Sequence, residues 1–157
     1  MPLRSAGGFI TENASFRPVG QPGNEPVAAP AAAVRSVAAA SLIAGAWALV
    51  PPYWGPALST EASVEFVDHV LPGIAVLAIA AACLLAGTRR VGATLAFLLA
   101  GLGVTLAGFW MTATHWPLVL QATRGEVPWG STVHHSLPGL AVLAVGGFWS
   151  AMFWGDD

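Results

Sequence analysis

The sequence predicts an all-α polytopic membrane protein, with four transmembrane helices arranged as two parallel copies of one helical hairpin. Three observations predict it: scarcity of charge, four long apolar runs, and a word that occurs twice. Of the 157 residues, 55% are hydrophobic and only 9% are charged. A soluble domain carries about 25% charged residues, so this chain has too few to cover a water-facing surface. Lipid is the solvent that suits it.

Residues 1–34 are rich in Gly, Pro and Ala and lack apolar periodicity, which reads as a flexible cytoplasmic tail. A secretory signal would carry its short apolar stretch much nearer Met1, so the first span reads as an uncleaved anchor. Residues 35–157 then form the membrane domain. Its apolar runs cover about 36–54, 64–87, 91–114 and 133–154, each close to the roughly 20 residues a helix needs to cross the hydrocarbon. None alternates as a barrel strand must, and only helices or closed barrels satisfy their backbone in lipid. The runs are therefore helices.

Arginine sets the expected orientation. Arg4, Arg17 and Arg35 precede the first span, and Arg89-Arg90 occupy the short turn between the second and third. Residues 51–63 carry no positive charge, and residues 115–132 carry only Arg124. The positive-inside rule then places both termini and the Arg89-Arg90 turn in the cytoplasm. Trp54, Trp116 and Trp129 fall at the outer boundary and Trp149 and Trp154 at the inner one, as an aromatic belt. The absence of Lys among the six basic residues fits a GC-rich bacterial genome, so the expected location is the bacterial plasma membrane. A net charge of -2 provides no field to attract nucleic acid.

Residues 67–80 and 133–146 share nine of fourteen identities, including His-x-Leu-Pro-Gly at His69–Gly73 and His135–Gly139. The preceding helices echo one another as well, with Ala44-Gly45-Ala46-Trp47 against Ala107-Gly108-Phe109-Trp110. Repeat one therefore spans 36–87 and repeat two 91–154. Both start on the same side, so they are parallel and related by an axis along the membrane normal. At Pro72 and Pro138 either a helix begins, since proline suits a first turn, or a longer helix bends. Glycines at 101, 103 and 108 give the third span a small-residue face for close helix approach.

With Gly45, Trp47, Leu49, Pro51 and Trp54 in one unit, and Gly108, Trp110 and Trp116 in the other, the chain resembles the SPW-repeat family of small bacterial membrane proteins. The likeness covers most of residues 40–150. The serine of the family's Ser-Pro-Trp word is absent, and in the second unit Pro117 follows Trp116. The family has no well-established reaction, so the resemblance implies architecture: a glycine- and tryptophan-bearing helix followed by a second glycine-containing helix.

Histidines are the most informative polar residues. His69, His115, His134 and His135 all fall near the outward helix ends. His69 and His135, at matching positions of the two units, have the arrangement that would hold a haem b between helices. The same pair with Asp68, His134, His115 or Glu65 would suit a transition-metal ion such as copper or zinc. The structural alternative is that each histidine caps the helix that follows it or bonds to loop carbonyls. Glu61, Glu65 and Asp68 share one helical face, either as solvated capping groups or as a cation site or proton path. The lone Cys83, inside an apolar run, forms no disulfide framework.

No span has an ionisable residue at its centre apart from Cys83, which argues against a channel or proton-coupled transporter. No nucleophile triad or phosphate-cradling loop appears. The expected function is a non-catalytic structural or accessory subunit of a larger membrane complex, with an electron-transfer assembly as one setting. Its partners are then the bilayer and other membrane subunits; a haem- or metal-binding redox protein is the alternative. The segment Pro117–Trp129 is expected to be an outward loop, apolar enough to lie among headgroups or dock on a neighbour.

Overall fold

A computed structural model describes residues 31–50, 62–86 and 93–152. The tail to residue 30, Trp54, Glu61, the Arg89-Arg90 turn and Trp154 lie outside the described residues. Every regular element described is helical: α1 (Ala31–Ala48), α2 (Ala62–Glu65), a π-helical turn (Phe66–Val70), α3 (Leu71–Ala86), α4 (Ala93–Thr123) and α5 (Trp129–Ala151). From α2 to α3 the backbone runs on without a break. The packing forms a closed ring, α1 on α3, α3 on α4, α4 on α5, and α5 back on α1. Ser63–Ala86 and Leu95–Thr123 are long and apolar enough to cross a membrane, and Ala32–Ala48 is apolar but shorter. α5 has the length, but its first half carries Ser131, Thr132, His135 and Ser136, all buried within the bundle.

The surface is apolar where a soluble protein is polar. Ile43, Leu85, Leu95, Leu106, Phe109 and Phe148 are exposed, whereas Ser41, His69 and Thr132 are buried. So many exposed large apolar side chains call for an apolar solvent or partner. Inside, hydroxyls turn back on their own helices: Ser41 donates to the Val37 carbonyl at 2.9 Å, Thr105 to Gly101 at 2.8 Å and Thr112 to Gly108 at 2.8 Å. That bond lets a hydroxyl sit in an apolar interior without an unpaired proton.

Small residues set how closely the helices cross. A Cβ on Gly45 would lie 2.9 Å from the Val76 side chain, and one on Gly73 2.7 Å from Leu49. In the other helix pair a Cβ on Gly108 would fall inside the backbone of Leu143, and one on Gly139 would lie 2.9 Å from Met111. Gly146 meets the backbone of Thr105 in the same way. At Gly108 and Gly146 the crossing is backbone on backbone, which only glycine permits.

Three expectations are corrected. The segment after Trp116 is not a loop: α4 continues through Pro117 to Thr123, and only 124–128 turn. Its apolar character is that of a helix, and the proline is tolerated inside it. The stop comes at Gly125, with φ +74°. There Glu126 N–H bonds to the Gln121 carbonyl at 3.0 Å and Gly125 N–H to Ala122 at 3.0 Å, the paired bonds that close a helix on a left-handed glycine. Next, Trp149 is not a belt residue; it is fully buried against Gly101, whose missing side chain makes room for it. Last, the histidines do not cap helices. His69 and His135 each stand well inside a continuous helical segment.

Candidate metal centre

Pro72 and Pro138 pass through helices that begin well before them, so the open choice between start and bend resolves to continuation. Proline has no N–H for the carbonyl four residues back, and its ring crowds that carbonyl. Ahead of Pro72 the backbone widens, and Leu71 N–H bonds to the Phe66 carbonyl, five residues back. This π-turn carries Asp68 and His69 and rotates the His69 ring into the bundle, where it is fully buried. Such turns recur at functional sites. Around Pro138 the helix stays α-helical, with His135 buried on the inward face of α5.

The third member comes from α4. His115, half-buried, brings its Nε2 to 2.9 Å from His69 Nε2. One potential ligand atom from each of His69, His115 and His135 lies within 4.8 Å of the others. Ring centroids are 4.5 Å apart for His69–His115, 5.6 Å for His69–His135 and 6.3 Å for His115–His135.

Protons in this cluster can be placed by elimination. His115 Nδ1 is 2.7 Å from the Met111 carbonyl, and a carbonyl only accepts, so Nδ1 carries the proton. In the neutral ring Nε2 then keeps a lone pair, and His69 Nε2–H donates to it. His69 Nδ1 is buried without a closed hydrogen bond, although the Ala48 carbonyl at the open end of α1 stands beside the ring. Glu65, one turn before His69, holds one carboxylate oxygen 3.8 Å from His69 Nε2 and the other 3.9 Å from His135 Nδ1.

Beside the cluster lies a pocket of about 190 Å³, lined among others by Glu65, His115 and His135 and by the polar side chains of Asp68, Thr114 and Gln121. Of the residues read from the sequence as metal ligands, His69, His115 and His135 come together. His134 does not join them: its ring touches His135, with centroids 5.6 Å apart, but offers no atom to the cluster. Asp68 lines the pocket and takes the Trp110 indole as a hydrogen-bond partner. Glu61 lies outside the described residues. Thr114, Gln121 and the Met111 carbonyl were not singled out by sequence; the Met111–His115 spacing of four was the available signal for the last.

Compared with known protein families, curated proteins and solved structures, the chain matches none of them.

Proposed function

We propose that this chain is a multi-pass protein of the bacterial plasma membrane that holds one transition-metal ion between His69, His115 and His135. The observation that carries the reading is the convergence of three imidazole nitrogens within 4.8 Å from three separate stretches of helix. Nitrogens bound tetrahedrally at about 2.0–2.1 Å from zinc stand roughly 3.3 Å apart, so small ring movements bring this trio into register. Imidazole donors suit zinc, copper, iron and nickel. The Met111 carbonyl supports the reading too. Metal-binding histidines commonly donate their second N–H to a carbonyl or carboxylate, which fixes the tautomer. For His69 to bind through Nε2, its proton must move to Nδ1.

A single ion fits better than haem. A macrocycle gripped by His69 and His135 must separate the two rings with its own plane, whereas these rings meet edge to face and His115 packs against His69. The four spans and two parallel hairpins of the sequence reading belong to this proposal. Matching glycines support the duplication: Gly45 and Gly73 line the contact of α1 with α3, and their sequence counterparts Gly108 and Gly139 line that of α4 with α5. A role as subunit of a larger complex is compatible with metal binding.

The test is metal analysis of the protein purified in mild detergent, after zinc or copper titration. One ion per chain is expected, lost in His69→Ala, His115→Ala and His135→Ala and kept in His134→Ala. Folded protein that takes up no ion, or equal loss in all four variants, overturns the reading.

A further inference from the structure

Resting on the metal centre proposed above, we infer that its ion keeps one coordination position open to the pocket beside the cluster, where it binds water or a small anion next to Glu65.

Donor count is the first argument. Among the described residues, the three histidines are the sole group of His, Cys, Asp and Glu side chains placed to share an ion. Zinc sites with three protein ligands keep the fourth position for water or substrate, whereas structural sites are closed by four. Access is the second. His69 forms the buried back of the cluster and is absent from the pocket wall, while His115 and His135 border the pocket. An ion held by all three is therefore reached from the pocket side. At about 190 Å³ the pocket has room for several waters, each occupying roughly 30 Å³. Its wall mixes Asp68, Thr114 and Gln121 with Val64, Pro117 and Leu118, so it offers polar partners to a water on the ion.

Glu65 gives the site its chemistry. Its oxygens lie 3.8 and 3.9 Å from the His69 and His135 nitrogens, beyond hydrogen-bond length, and it stands outside the three-nitrogen group. From there the carboxylate can accept a hydrogen bond from a water on the ion. A zinc-bound water has a pKa near 7, so such a carboxylate orients a ligand poised to become hydroxide.

Cobalt(II) is the probe, because its visible spectrum reports coordination. The full chain in detergent is loaded with cobalt and titrated with sodium azide. A saturable azide-dependent spectral change is expected, with cobalt stoichiometry unaltered, and Glu65→Gln is expected to retain the ion and bind azide more tightly, because it removes a negative charge beside the open position. Cobalt bound with no azide response overturns the open position while leaving metal binding intact. If Glu65 were itself the fourth ligand, wild type would be silent and Glu65→Ala would gain the response, which also overturns it. No cobalt uptake by folded protein removes the metal centre and this inference together.

Discussion

His115 is held in the cluster by the Met111 carbonyl, one helical turn behind it on α4, 2.7 Å from its Nδ1. That bond aims Nε2 at His69 and restricts the ring to one tautomer. The neighbouring histidines of α5 divide their roles by direction: His135 points into the bundle, and His134 packs on its edge. His115→Ala should therefore lower zinc affinity by at least about 100-fold, measured by competition with a chromophoric chelator. His134→Ala should change it less than threefold. A large loss in His134→Ala would mean that the ion sits elsewhere. The repeat already matched His135, not His134, to His69; the packing turns that match into proximity of the two rings.

At the scale of the element, glycine governs how near α4 and α5 can come. Gly108→Ala and Gly146→Ala each force a methyl group into backbone of the facing helix, and overpacking of this kind costs about 1–3 kcal/mol. Both should lower the thermal midpoint in detergent. Gly147→Ala, with open space around it, should leave the midpoint unchanged or raise it slightly, since alanine favours helix by about 1 kcal/mol. Equal behaviour of all three variants would contradict the packing. At the end of α4, Gly125→Ala puts a side chain at φ +74°, a left-handed conformation costing roughly 1–2 kcal/mol. Its expected signature is a modest drop in thermal midpoint with zinc stoichiometry kept.

For the whole molecule, length and surface matter together. α4 has 31 residues and rises about 46 Å at 1.5 Å per residue, more than the ~30 Å of hydrocarbon. If its start lies near the inner boundary, the turns beyond His115 extend past the outer one. In the proposed topology the proposed metal centre lies near the outer face and Arg89 on the cytoplasmic side. In a Cys83→Ala background, Arg89→Cys and Gly130→Cys should react with a membrane-impermeant maleimide from opposite sides of intact cells. Labelling of both from the same side would remove the proposed topology.

The sequence alone established the helical class, through apolar runs with too little charge for water, and the candidate histidines, through their rarity in such surroundings. Runs of this kind fix element type because backbone hydrogen bonding is local in a helix. Helix ends were less legible: a proline, as at Pro117, is a stop signal locally, yet neighbouring helices can hold the chain helical through it. Tertiary structure alone decided that Trp149 is core, that His115 completes the cluster and that His134 does not. Those outcomes depend on the angle at which one helix meets another, and that angle comes from contacts between residues far apart in the chain.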